Sequence, residues 1–483
     1  MSADARFVAF ESVASNLISA DNNGVRDIFV RDRQLGTTVC ASVDSNGVLG
    51  NGACYAPALS ADGRYVAFHS EASNLVPGDT NGVADIFVRD LQSGQTERVS
   101  VDSGGVQGAY WSFYPAISAD GRFVAFESWS NNLVAGDNNW TWDIFVHDRQ
   151  TQVTERVSVD SLGAEGLGFS VEATISADGR FVAFRSESDS LVPNDTNGFW
   201  DIFVHDRQNN ETSLVSMDSN GGLADNWSNF PSISADGNLI AFESLATNLA
   251  PGDNNLRYDI FVHDRSNGVT SMVSLNSQGT QGISDSREPA ISADGRHVAF
   301  SSDSSNLVPD DANNTSDVFV YDRHTGLTRR ASVDTDGIQG NMGNHSVSIS
   351  EEGKFVSFDS GSAFVPDDTN GFGDIYLRDR GDGIPSLATS GACPGTMDLW
   401  VDGASPHGLL AVIYGQPGSF TNPNPPCQGL VVDLASPTLA SLLTADNSGD
   451  ANLHFFAPSG ACGLSVQVVD VAACLTTNVV VLQ

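Results

Sequence analysis

A nine-residue phrase, Ser-Ala-Asp-Gly-Arg-Phe-Val-Ala-Phe, runs from Ser118 to Phe126 and again from Ser176 to Phe184, 58 residues on. Variants start in the same register at Ser2, Ser60, Ser234, Ser292 and Ser350. A fixed period of this size means one supersecondary unit stacked repeatedly, each unit burying its apolar face on its neighbours. The repeat therefore decides the architecture before any single residue does.

Within the unit from Leu59 to Ala116, four short runs stand out: Arg64–Ser70, Asp85–Asp90, Thr96–Asp102 and Tyr114–Ser118. They are rich in β-branched and aromatic residues and separated by turn formers such as Ala61-Asp62-Gly63 and Ser93-Gly94. With no helical periodicity, such runs read as strands of one antiparallel sheet. A repeated four-stranded sheet is a β-propeller blade. Small, apolar Tyr114–Ser118 suits the crowded inner position, and charged Thr96–Asp102 suits the rim. The other three runs occur seven times, but the inner run only six, because Met1 already occupies the place of Leu59 and Ile117. The expected fold class is all-β: a seven-repeat β-propeller over residues 1–385, its first blade lacking an inner strand, then a small disulfide-bonded β-sandwich over 386–483.

The pairing of Ser-x-Asp-Gly-x-x-x-Ala-Phe with Asp-Ile-Phe-Val resembles the TolB-type β-propeller repeat, here in a secreted bacterial form. The resemblance covers roughly residues 1–385 and implies the fold rather than an activity. Unlike TolB, the sequence shows no separate N-terminal domain, and its loop between second and third strands is longer.

Each unit carries an acidic loop of the form Asp-x-Asn-x-x-x-Asp. Its fixed residues are Asp21, Asn23 and Asp27; Asp79, Asn81 and Asp85; Asp137, Asn139 and Asp143; and Asp195, Asn197 and Asp201. They continue as Asp253, Asn255 and Asp259; Asp311, Asn313 and Asp317; and Asp368, Asn370 and Asp374. Calcium takes about six to eight hard oxygen ligands, which two carboxylates, an amide oxygen and a backbone carbonyl begin to supply. The expectation is several Ca²⁺ ions, about one per repeat. The competing reading is that Asp, Asn and Gly merely form a turn, with Asp85 capping the strand it opens.

The chain has 60 acidic against 23 basic residues, a formal charge of −37. Nucleic acid and anionic membranes would be repelled, and cations attracted. No apolar run reaches a membrane-spanning length of ~18 residues. The chain opens inside a repeat rather than in a leader, so the expectation is a trimmed, exported product. Six cysteines, two in the first unit and four after residue 390, favour disulfides in an oxidising compartment. The expected pairs are Cys40–Cys54, Cys393–Cys427 and Cys462–Cys474; zinc ligation lacks its usual spacing.

Trp140, Trp142, Phe199, Trp200 and Tyr258 occupy variable positions of consecutive loops. They form either an exposed aromatic patch for sugar or protein contact or packing onto the next blade. No catalytic constellation is evident. His147, His205 and His263 share one repeat position with Arg31, Arg89 and Arg378, and the Asp-Arg pair typified by Asp90 and Arg149 repeats as a structural feature would. Asn139, Asn210, Asn226, Asn313, Asn314 and Asn344 begin glycosylation sequons. The functional expectation is a secreted, non-enzymatic calcium-binding propeller acting as a structural, adhesion or filament-forming extracellular protein. Its partner would be itself, by head-to-tail strand sharing at the incomplete blade, with Asn478–Leu482 and its flanks as the candidate donor. The alternative is a glycan-binding protein, or a glycan-acting hydrolase or lyase, using the propeller face.

Overall fold

The computed structural model describes residues 1–309 and 311–380, together with the backbone of the strands between Ser386 and Val481. Every regular element among them is a strand. In blade 3 the inner strand Ser112–Ile117, second strand Phe123–Ser128, third strand Asp143–Asp148 and outer strand Val153–Arg156 pair in that order, all antiparallel. Blades 2, 4, 5 and 6 repeat this four-stranded sheet. Blade 1 has three strands, Phe7–Ser12, Asp27–Asp32 and Thr37–Cys40, and lacks the inner one, as expected.

The two middle strands of each blade are covered on both faces by neighbouring sheets, so they are continuously apolar rather than alternating. Val124, Ala125 and Phe126 are fully buried, as are Ile144, Phe145 and Val146. Phe126 stands opposite Phe145 in register, with stacked rings 6.0 Å apart. Around them gather Ala67, Ile86, Val88 and Val99 of blade 2. The core is thus a series of such clusters between consecutive blades.

The Ser-Ala-Asp-Gly turn serves two purposes. Gly121 has φ +73°, and a Cβ there would stand 2.2 Å from the Tyr65 ring of the preceding blade. Only glycine gives both the left-handed turn and the close approach. The turn also closes the molecule. Ala3 N–H donates to the Ala61 carbonyl (2.9 Å), and the chain of bonds continues through Ala119, Ala177, Ala235, Ala293 and Glu351 back to Ala3 (3.1 Å). Seven donors and seven acceptors form one ring, which fixes the blade number at seven.

The seventh blade departs from expectation. It has Asn344–Ile349, Phe355–Ser360 and Asp374–Asp379, without a described outer strand. Ser386–Gly391, the next described strand, pairs with Gly395–Asp402. The chain divides into units Met1–Arg378 and Asp379–Gln483. In the second, Ser386–Gly391, Gly395–Asp402 and Ala451–Ala457 make one antiparallel sheet. Leu409–Thr421, Val431–Thr444, Ser465–Asp470 and two short C-terminal strands make another. Val480–Val481, the described part of the candidate donor tail, pairs with Ser465–Val466 in this second sheet.

Cys40 and Cys54 are free, against the expected disulfide. Cys40 ends an outer strand and Cys54 begins the next blade's inner strand, so they belong to different sheets. Cys54 takes a serine position: it lies 3.1 Å from Ser70 Oγ, as Ser112 Oγ lies 2.9 Å from Ser128 Oγ. Burial pushes the two thiols up to about 11 and about 12, which disfavours the thiolate form. Cys393, Cys427, Cys462 and Cys474 lie outside the described residues.

Candidate cation loops and an aromatic face

The acidic loops follow the second strands, and each closes on the third strand through its second aspartate. In blade 2, Asp85 is fully buried. Its Oδ1 accepts from Ser100 Oγ (2.5 Å) and its Oδ2 from Asn81 Nδ2 (2.9 Å). Asn81 Nδ2 also donates to the Gly108 carbonyl (2.9 Å), while its Oδ1 accepts from Val83 N–H (3.3 Å). Asn23, Asn139, Asn197 and Asn313 make the same pair of donor contacts in their blades, to Asp27, Asp143, Asp201 and Asp317 and to a neighbouring carbonyl. Asn255 keeps the carbonyl contact, to Gly282, and Asn370 keeps the one to Asp374. The asparagine, expected to offer its oxygen to an ion, is here a strut between the carboxylate and the next loop.

What faces the two carboxylates differs between blades. Arg98 Nη1 lies 3.3 Å from both Asp79 and Asp85. Arg156 bridges Asp137 and Asp143 at 3.3 and 3.4 Å, and Arg330 bridges Asp311 and Asp317 at 3.3 Å each. In blade 5, Gln281 Nε2 donates to Asp253 (2.7 Å) and Asp259 (2.8 Å). In blade 7, Tyr376 donates its hydroxyl hydrogen to Asp368. Burial still raises Asp137 and Asp259, each pushed up to about 6. Among the described residues no three His, Cys, Asp or Glu side chains converge as a metal-binding group. An ion in a loop would need backbone or water oxygens to complete its shell.

The loops share their end of the propeller with a ring of glutamates that sequence reading passed over. Each inner strand is irregular near its start, and the residue there has positive φ: Ala56, Tyr114, Glu172, Phe230, Glu288 and Ser346. A side chain of such a residue costs strain. At five of the six positions a carboxylate accepts the backbone N–H: Glu11 from Ala56, Glu127 from Glu172, Glu172 from Phe230, Glu243 from Glu288 and Glu288 from Ser346, at 2.7–3.0 Å. Burial pushes Glu127 and Glu243 up to about 7.

Aromatic rings form a crescent on the same end across blades 2 to 4. Tyr55 stacks on His69 (5.3 Å), His69 meets Phe113 and Tyr114 edge-on (5.0 and 5.6 Å), and Phe113 meets Trp142 (5.5 Å). Trp142 contacts Trp129 (5.6 Å), and Phe169 links Trp129 to Trp200, at 6.5 Å each. Of the rings singled out in the sequence, Trp142 therefore packs into the crescent. Trp200 and Tyr258 lie beneath Arg185 and Arg287, at 4.0 and 4.1 Å, and Phe199 is half-buried. Trp140 alone among them is largely exposed, at 59%. Other exposed rings were not singled out: Trp111 (45%), Tyr114 (57%), Tyr110, Phe169, Trp227 and Phe230 come from the inner strands and the loops before them, and Phe372 (75%) from the blade 7 acidic loop.

The repeated histidines are structural. His147, His205 and His263 each place Nδ1 2.8 Å from a threonine hydroxyl on the outer strand, Thr154, Thr212 and Thr270. Burial holds His147 and His205 down at about 4, so they are neutral. The Asp-Arg pair is also structural: Arg122 grips Asp148 at 2.9 and 2.6 Å, and Arg149 Nε reaches back 2.6 Å to Glu97 of blade 2.

No family model matches the chain, and none of the curated proteins does. Solved structures do resemble it. TolB from Acinetobacter baumannii is 17% identical over 63% of this chain and 58% of its own length, with a TM-score of 0.37. A putative TolB from Agrobacterium tumefaciens is 15% identical over 71% of this chain and 94% of its own (TM-score 0.38). The Pyrococcus horikoshii acylaminoacyl peptidase is 12% identical over 82% and 56% (TM-score 0.45). The chain thus spans well under two thirds of the Acinetobacter protein. The strand order and the closed ring of turns by themselves make the fold a seven-bladed β-propeller.

Proposed function

We propose that this protein is a non-enzymatic extracellular adhesion module that holds neutral glycans on the face carrying the aromatic crescent. The crescent is the observation that carries this reading. Flat, half-exposed rings offer the C–H faces of sugars a stacking surface, while the surrounding carboxylates accept their hydroxyl hydrogens. The net charge of −37 selects against sulfated or uronic glycans. The buried histidines and the Asp-Arg pairs are engaged in repeated structural contacts, which supports binding rather than catalysis. Among the described residues no helix is long and apolar enough to cross a membrane; an extracellular setting belongs to the proposal. Titrating neutral oligosaccharides while following tryptophan fluorescence tests it. Trp111→Ala should weaken binding about tenfold, the loss of ~1.4 kcal/mol. Equal binding by the variant would refute the assignment of the face.

The second strand of blade 1, which has no inner partner among the described strands, favours a second reading. Its residues Ala9 and Phe10 are half-buried where Ala67 and Phe68 are fully buried. Strand addition at that edge by another copy would build head-to-tail assemblies. Sedimentation velocity across a concentration series checks this, and a strictly monomeric protein would dismiss it.

A further inference from the structure

The acidic loops have the same backbone plan but not the same electrostatics. In blades 2, 3 and 6 a guanidinium from the end of the outer strand sits between the two aspartates, and in blade 5 a glutamine amide does so. Blade 4 has Leu214 at the arginine position and Leu223 at the glutamine position, and neither can neutralise a carboxylate. Its nearby arginine, Arg185, is turned away, ion-paired to Glu172 at 2.8 Å and lying over Trp200. Asp201 is fully buried, and Asp195 is only 7% exposed, with its Oδ1 lacking any hydrogen-bond partner. A buried carboxylate oxygen without a donor is costly, and the buried Asp201 carboxylate beside it, though its oxygens accept from Ser216 and Asn197, adds like-charge repulsion.

We propose that the blade 4 loop is the propeller's dedicated divalent-cation site, held by Asp195 and Asp201 and completed by backbone and water oxygens, while arginine stands in for the ion in blades 2, 3 and 6. Hard carboxylate oxygens, completed by backbone carbonyls and water, select calcium over softer metals. Blade 1 also lacks the arginine and glutamine, carrying Cys40 and Leu49 instead, but its Asp21 is half-buried and open to water. The expected stoichiometry is therefore one tight ion rather than seven.

Terbium, a calcium mimic, gives the test, because Trp200 lies within the loop and would sensitise its emission. The full chain should show saturable terbium emission that calcium displaces. Leu214→Arg, which installs the resident cation of the other blades, should weaken binding at least tenfold while circular dichroism stays unchanged. If that variant does not fold, Asp195→Asn, nearly the same shape, takes its place with the same expected loss. Arg156→Leu should create a second site, read through Trp140 and Trp142, because it frees Asp137, Asp143 and Glu165 together. Unchanged emission in the folded blade 4 variant, no gain from Arg156→Leu, or no binding at all would each overturn the proposal. Calorimetry giving about seven equivalent calcium ions would overturn the distinction between blades while leaving the wider calcium expectation standing. None of these outcomes bears on glycan binding, which is read with sugars alone.

Discussion

Glu127 shows how a single residue can be both a structural clasp and a pH-sensitive liability. It holds the N–H of Glu172 at a strained bulge, and burial raises its carboxyl from 4.5 to about 7. A folded-state value above the unfolded one means stability is fully present below pH ~4.5 and lost as pH rises through about 7. A shift of this size is worth on the order of 3 kcal/mol across that window. His147 and His205 work in the opposite sense: held at about 4 when folded, they contribute stability above pH ~6.5 that is lost as pH falls toward 4. The wild-type melting curve therefore mixes both, and a variant separates them. Glu127→Gln keeps an acceptor for Glu172 N–H and removes the titration. Its melting temperature should rise relative to wild type as pH goes from 4.5 to 7. A constant difference across that range would show that Glu127 does not titrate as described. No feature of the sequence marks this residue, because the middle position of Phe-x-Ser is Glu, His, Arg, Ser or Asp from blade to blade.

At the level of the element, the repeat made the middle strands readable to the residue, since burial on both faces demands the same apolar run each time. It failed at two places, each for a physical reason. The outer strand expected for blade 7 is not among the described strands, because a strand-like pattern does not say which sheet a strand joins. Cys40 and Cys54 are close in sequence yet serve separate sheets. The N–H contacts of Asn81 to Asp85 and Gly108 are a further feature that the loop pattern does not announce. The acid pairs were legible as pairs, but not the arginine, glutamine or leucine that distinguishes them, because these lie some 10 to 30 residues further along the chain. Two predictions belong here. Phe126→Ala, in a fully buried and cross-strand stacked pair, should cost ~3–5 kcal/mol in urea unfolding. Amide exchange should be faster in Phe7–Ser12 than in Phe123–Ser128, since the former lacks a partner on its inner edge; equal protection would mean that another strand covers it.

For the molecule as a whole, the seven turn-to-turn hydrogen bonds explain how a ring with an incomplete blade stays closed. Closure at the turn end does not require the missing strand, because Glu351 of blade 7 reaches Ala3 of blade 1 directly. The opposite end is then free to carry what varies between blades: charge, aromatic surface and the unfilled acid pair. Division of labour between a repeated end and a varied end is the basis of the binding proposal. Hydrogen exchange by mass spectrometry, with and without a saturating neutral oligosaccharide, tests it most directly. Protection should concentrate in the segments holding Trp111, Tyr114, Phe169 and Trp227, with the Ser-Ala-Asp-Gly turns unaffected. Protection confined to those turns, or spread evenly over the blades, would contradict the account.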